Sequence, residues 1–198
     1  MNVTIIKYNA GNIQSVLFAL KRIGVEALVT DDPALIRKAD KVIFPGVGEA
    51  STAMRYLKER ELDQLIVSLQ QPVLGICLGM QLLCSYSEEN DTQCLGIFEN
   101  TIVKRFVPRN SDLKVPQIGW NTIQELRSPL FDNIQKVNNY VYFVHSYYAG
   151  LSDYTIAQTH YINDYSSALQ KNNFYGVQFH PEKSAVVGET ILKNFLSL

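Results

Sequence analysis

Short apolar runs alternate with helix-forming stretches through the first half of the chain, and this alternation restricts the fold more than any other feature. Val3-Thr4-Ile5-Ile6 leads into a helical stretch with apolar positions Ile13, Val16, Leu17, Leu20 and Ile23, closed by Gly24 as a C-terminal cap. Ala27-Leu28-Val29 follows, then a short helix opened by Asp32 as cap and Pro33 in its first turn, then the strand Lys41-Val42-Ile43-Phe44. A further helical stretch over residues 51–69, broken near residues 59–62, delivers the chain to Pro72-Val73-Leu74. Successive βαβ units of this kind predict an α/β fold built on a doubly wound, mainly parallel sheet. Past a polar loop at residues 87–93 the pattern changes. Short strand-like runs at 101–106, 140–144, 155–159 and 174–179 predict an antiparallel extension, and residues 185–198 close the chain as a helix through Val186, Ile191, Leu192, Phe195 and Leu196.

Bulk properties narrow the function. A length of 198 residues suits one domain spanning 1–198. With 18 basic and 19 acidic residues the net charge is -1, which leaves no electrostatic footprint for nucleic acid or an anionic membrane. Small molecules or proteins are the expected partners. Lys7 interrupts the first apolar run too early for a signal peptide, and no segment has the length of a transmembrane span. The 3 cysteines, Cys77, Cys84 and Cys94, form no C-x-x-C pair and leave at least one thiol unpaired, as expected in a reducing cytoplasm.

Gly75-Ile76-Cys77-Leu78-Gly79, entered from an apolar strand and followed by Leu82-Leu83, reads as a sharp strand-to-helix turn with cysteine at its apex. The flanking glycines leave room for the strained backbone of a nucleophile elbow, and the positive end of the following helix favours an anion there. A tight turn around a buried small side chain gives the same pattern. A nucleophile needs a base, and the chain holds only His145, His160 and His180. His180 precedes Pro181-Glu182, so a two-residue spacing along a strand is expected to set His180 and Glu182 on one side, where the carboxylate would orient the imidazole. The alternative is a surface ion pair at a strand end. His145, among aromatics, is expected to be structural or substrate-lining, and His160 is given no role. The Leu78 N–H, next after the nucleophile, is an expected oxyanion donor, with a second from the Pro45-Gly46-Val47-Gly48 turn at the same sheet edge. That turn lacks the G-x-G-x-x-G spacing of a dinucleotide site. Cys84 lies about two helical turns beyond Cys77 with no histidine cluster to complete a coordination set, so no metal and no cofactor are expected.

These residues resemble the triad, or class I, glutamine amidotransferases, whose glutaminase domains combine a Gly-x-Cys-x-Gly elbow with a late His-Pro-Glu on a flavodoxin-like fold. Pro45-Gly46-Val47-Gly48, Pro116-Gln117-Ile118-Gly119-Trp120-Asn121, Tyr142-Phe143-Val144-His145-Ser146-Tyr147 and Gly176-Val177-Gln178-Phe179-His180-Pro181-Glu182-Lys183-Ser184 are similar, almost end to end, to the glutaminase subunits of imidazole glycerol phosphate synthases. The resemblance implies that Cys77 attacks the side-chain amide of glutamine, that His180 protonates the departing ammonia, that Glu182 orients His180, and that water hydrolyses the thioester. It assigns Val47 and Leu78 to the oxyanion, Gly48, Gln81, Ser146 and Tyr147 to glutamine binding, and Asn12, Trp120, Asn121, Tyr142 and Lys183 to a partner interface. That partner is a (β/α)8-barrel cyclase subunit, which uses the ammonia to make imidazole glycerol phosphate and an aminoimidazole carboxamide ribotide. Two departures stand out: Lys7-Tyr8-Asn9-Ala10-Gly11-Asn12 replaces the family's Asp-Tyr-Gly-x-Gly-Asn, and Gln117 stands where histidine is frequent. Other readings are the glutaminase of another barrel synthase such as the pyridoxal phosphate type, a stand-alone γ-glutamyl hydrolase, and a non-catalytic partner-binding module.

Overall fold

The computed structural model describes residues 1–9, 12–108, 113–135 and 138–198. Of the segment that departs from the family pattern, the replaced positions Lys7 and Asn9 are described and exposed, while Ala10 and Gly11 lie outside the described residues. The first half follows β1 (Val3–Ile6), α1 (Ile13–Arg22), β2 (Ala27–Thr30), α2 (Pro33–Lys38), β3 (Lys41–Phe44), α3 (Ala50–Glu59), α4 (Leu62–Val67), β4 (Val73–Ile76) and α5 (Leu78–Leu83). Local chemistry sets these boundaries. The Asp32 carboxylate accepts the N–H groups of Ala34 and Leu35 at 2.7 and 3.2 Å and so starts α2. Gly24, at φ 79°, ends α1 with its N–H on the Lys21 carbonyl. Glu61, at φ 55°, interrupts the long helical stretch between α3 and α4.

The second half contains β5 (Cys84–Ser87), β6 (Thr92–Gln93), β7 (Phe98–Arg105), β8 (Gln117–Thr122), β9 (Tyr140–His145), β10 (Tyr147–Ala149), β11 (Thr155–His160), β12 (Asp164–Lys171), β13 (Phe174–Val177) and α6 (Ala185–Ser197). Part of the expected polar loop at 87–93 is therefore strand, with β6 pairing antiparallel to β5. The run expected to extend to Phe179 leaves the sheet after Val177, four residues before Pro181 opens a 3-10 turn.

The main sheet runs β2-β1-β3-β4-β13-β12-β10-β7-β5-β6, with β11 added on β12, while β8 and β9 form a separate ribbon. From β2 to β13 every pairing is parallel; from β12 onward the pairings are antiparallel except that of β5 with β7, which is parallel. Apolar side chains bury both faces. Ile36, Leu57, Leu62 and Ile66 from α2, α3 and α4 cover one face, and Val16, Leu20, Ile191 and Phe195 from α1 and α6 cover the other. Among the described residues no helix is long and apolar enough to cross a membrane.

The carboxyl ends of β3, β4 and β13 lie side by side, because Phe44 is in register with Gly75 and Ile76 with Val177. Three loops thus leave the sheet at one edge, the usual place for a ligand in an open α/β sheet. The glycines of the elbow make this approach possible. A Cβ on Gly79 would land on the Phe44 carbonyl oxygen, whereas one on Gly176 would meet the Met80 side chain. Gly79→Ala is therefore expected to lose at least about 3 kcal/mol, since backbone cannot yield, and Gly176→Ala less. Denaturant midpoints would test this, with Met80→Ala recovering part of the Gly176→Ala loss and none of the Gly79→Ala loss.

Candidate active site

Cys77 sits at φ 54° and ψ -110°, a conformation strained for a side chain with a Cβ, directly between β4 and α5. Its N–H is held by the Val177 carbonyl at 2.8 Å, so the neighbouring strand clamps the elbow. Beyond Val177 the chain leaves β13 and runs through Gln178 to His180. The His180 N–H donates to the Tyr142 carbonyl at 2.9 Å, and Pro181–Lys183 form a 3-10 turn. That turn, rather than strand alternation, folds Glu182 back so that His180 Nδ1 lies 2.8 Å from its Oε1. A hydrogen bond joins the His180 ring to Cys77. Sulfur, imidazole and carboxylate form one chain, with the His180 and Glu182 side chains 2% and 0% exposed.

Burial opposes charge on His180, yet its hydrogen bonds to Cys77 and Glu182, and their charges, raise its pKa to about 10. His145 shows the opposite shift. Burial first, and the nearby His180 among the lesser causes, lower it to about 4 against the pull of its Nδ1–H bond to the Tyr147 carbonyl at 2.7 Å. Its Nε2 faces the Gln117 side chain at 3.1 Å and the Tyr165 hydroxyl at 3.3 Å. Gln117, at the position of one departure from the family pattern, is thus a buried partner of a neutral histidine.

These groups border a cavity of about 310 Å³ lined by Val47, Gly48, Cys77, Leu78, Gln81, Ser146, Tyr147, His180 and Lys183, together with Glu89, Pro116, Val144 and His145. The volume suits a molecule of amino-acid size. The Leu78 N–H is bonded to the Gly46 carbonyl at 3.3 Å. Gln81 Nε2 donates to the Tyr147 carbonyl at 2.9 Å and to Gln178 Oε1 at 2.8 Å.

A family model described as glutamine amidotransferase class-I matches residues 4–198. The chain belongs to the class-I glutamine amidotransferases. Among proteins similar to it are the imidazole glycerol phosphate synthase subunit HisH of Bacteroides fragilis, 60% identical over 198 residues and 100% of both chains, and that of Bacteroides thetaiotaomicron, 57% identical with the same coverage. The HisH subunit of Idiomarina loihiensis is 47% identical over 200 residues, covering 100% of this chain and 98% of the relative. A solved glutamine amidotransferase shares the fold with TM-score 0.75 at 18% identity, covering 99% of this chain and 98% of its own. PurLQS from Thermotoga maritima shares it with TM-score 0.68 at 14% identity, covering 99% and 97%.

Within this amidotransferase the residues expected at a partner interface divide. Trp120 and Tyr142 face each other across the β8–β9 ribbon with ring centroids 5.8 Å apart. With Ile118, Tyr140 and Val144 on the same face they make an exposed apolar surface, 63% exposed at Ile118 and 52% at Trp120. Lys183 is exposed, its Nζ 6.0 Å from the Tyr142 ring. Asn121 ties its amide to the His160 carbonyl at 2.9 Å. Asn12 turns inward. Held at φ 73°, it donates its amide to Glu182 Oε1, and that nitrogen lies 3.5 Å from His180 Nδ1.

Three further residues touch the site without a sequence signal of their own. Glu89 borders the cavity and accepts the Ala50 N–H at 2.8 Å. Tyr8 donates its buried hydroxyl to the Pro45 carbonyl at 2.6 Å, bracing the turn that precedes Val47. Gln178 lies against the sulfur.

The two histidines make stability depend on pH in opposite directions. His145 falls from its ordinary 6.5 to about 4, so the folded state binds fewer protons in that window and loses stability as pH falls through it. His180 rises from 6.5 to about 10, so its contribution is full below 6.5 and is lost as pH rises toward 10. Thermal midpoints measured across pH should therefore fall on both sides. His145→Gln should flatten the acid limb and His180→Gln the alkaline one; unchanged limbs would contradict these assignments.

Proposed function

We propose that this chain, acting as one domain over residues 1–198 in the cytoplasm, is the glutaminase subunit of an imidazole glycerol phosphate synthase. The observation that carries the reading is the Cys77–His180–Glu182 chain of contacts at the wall of a cavity of about 310 Å³. Full-length identity of 60% to a HisH subunit supports the choice among amidotransferases.

Glutamine enters with its side-chain amide toward Cys77 and its α-ammonium toward the Glu89 carboxylate. Gly48, Gln81, Ser146 and Tyr147 hold it. The Cys77 sulfur adds to the amide carbon, the oxygen becomes an oxyanion, and His180 gives a proton to the leaving nitrogen as ammonia departs. Water, deprotonated by His180, then cleaves the thioester to glutamate and frees the sulfur. Glu182 keeps the imidazole oriented and offsets its charge. The Leu78 and Val47 N–H groups serve the oxyanion. Since the Leu78 N–H is bonded to the Gly46 carbonyl, that carbonyl must turn away first, which makes the free subunit a weak glutaminase.

The ammonia passes to a (β/α)8-barrel cyclase subunit docked on the apolar face of the β8–β9 ribbon. This face is coupled to the base: Tyr142 receives the His180 N–H through its carbonyl, while its own N–H binds Ser184 Oγ at 2.9 Å.

Glutamate release should rise when the chain is mixed with the cyclase and its ribonucleotide ligand; no stimulation would remove the two-subunit reading, and strong turnover without the partner would favour a stand-alone hydrolase. Cys77→Ala is expected to abolish glutamine-dependent synthesis while ammonium salts still support product formation. Trp120→Ala should weaken the complex by about 2 kcal/mol, a roughly 30-fold rise in Kd by titration, with the fold intact.

A further inference from the structure

We propose that Gln178 is a catalytic residue whose side-chain amide donates a hydrogen bond to Cys77 Sγ and stabilises the thiolate, with Gln81 holding that amide in the required direction. The proposal deepens the glutaminase reading and rests on Cys77 as its nucleophile.

The argument begins with strand register. Ile76 is opposite Val177, so the next residues along the two parallel strands, Cys77 and Gln178, leave the sheet together. Gln178 is fully buried, and its Nε2 lies 3.6 Å from Cys77 Sγ. The orientation of the amide follows from an acceptor that cannot change role. The Tyr147 carbonyl can only accept, so the end of the Gln81 side chain 2.9 Å from it is nitrogen. That nitrogen also lies 2.8 Å from the Gln178 side chain, which must present oxygen to it. The other end of the Gln178 amide, the end against sulfur, is therefore the N–H donor.

The surroundings of the sulfur separate its two protonation states. The Val144 carbonyl, 3.8 Å away, can accept from a thiol and repels a thiolate. Gln178 and His180 supply the donors that a thiolate needs, and the buried Tyr8 hydroxyl is engaged with Pro45. A buried donor aimed at a developing anion stabilises it without reorganising during the reaction.

Alkylation of the full-length chain by iodoacetamide at acidic to neutral pH, with mass spectrometry locating the label, tests the proposal directly. Sulfur displaces iodide as thiolate, and the buried Cys84 and Cys94 report whether the fold has opened. Gln178→Leu should slow labelling of Cys77 by about three- to tenfold, because lost thiolate is partly offset by the higher nucleophilicity of a more basic sulfur. Gln178→Glu keeps an oxygen for Gln81 but sets a second one against sulfur, and should slow labelling further. Glutamine hydrolysis by the cyclase-bound variants should fall in the same order, while ammonium-driven synthesis stays unchanged. An unaltered Cys77 labelling rate with Cys84 and Cys94 protected would overturn the role of Gln178. Labelling of all three cysteines in both variants would also overturn it, since Gln178 would then be structural. Wild-type Cys77 labelling no faster than Cys84 and Cys94 would instead overturn the reading of Cys77 as a nucleophile.

Discussion

The pairing of β4 with β13 is the constraint on which the site depends. These strands are distant in sequence, yet their parallel register, Val73 to Phe174 through Ile76 to Val177, brings two chain segments to one sheet edge together. The backbone bond from Cys77 to Val177 extends that register one step into the elbow. A slip of one residue would turn every side chain of β13 to the opposite face and would move His180 away from the sulfur. The neighbouring β3 supplies the Pro45–Gly48 turn by the same logic, and Gly79 allows α5 to press against its end. Side chains from three separate segments converge because backbone pairing has already fixed where each one starts.

Two histidines in one cavity carry opposite assignments, and their surroundings explain why. His180 lies between a sulfur and a carboxylate, both able to bear negative charge, so a proton on its ring is held strongly. His145 lies among Phe106, Phe143 and Tyr165, with the Tyr147 carbonyl at Nδ1 and the uncharged Gln117 side chain and Tyr165 hydroxyl at Nε2. Burial then governs it and keeps it neutral. Environments that push two titratable groups apart are how a single fold separates an acid-base residue from a structural one.

The parallel half of the fold is legible in the sequence because each strand there is a continuous apolar run and each helix has a chemical marker, such as Asp32-Pro33 or Gly24. The elbow is legible for a related reason: Gly75 and Gly79 answer to close backbone approaches that no side chain would tolerate. The antiparallel half is read less completely. β12 buries Ser166 and Ser167 in its middle, and Ser166 satisfies its hydroxyl with Thr155 and the Gly150 carbonyl, so a core strand looks like a polar loop. Asn12 meets Glu182 across 170 residues of chain, and Gln178 meets Cys77 across 101. Single side-chain hydrogen bonds over such separations leave no periodicity to read. The His180–Glu182 pair is visible as a spacing, although the 3-10 turn that brings its members together is not.

The place of β13 also has a consequence for how the protein is made. Synthesis runs from the amino terminus, and β4 emerges about a hundred residues before the strand that covers its far side. Until β13 arrives, the nascent sheet β2-β1-β3-β4 ends in a bare edge of Val73, Leu74, Gly75 and Ile76, apolar and open to pairing with any other extended chain. The last strand is therefore an insertion into the middle of the sheet, a long-range closure of the kind that folds slowly. The same delay keeps Cys77 without its base, because His180 follows just after β13. A chain that ends before β13 carries the Cys77 elbow without His180 or Glu182, so the three side chains can meet only when the fold is complete.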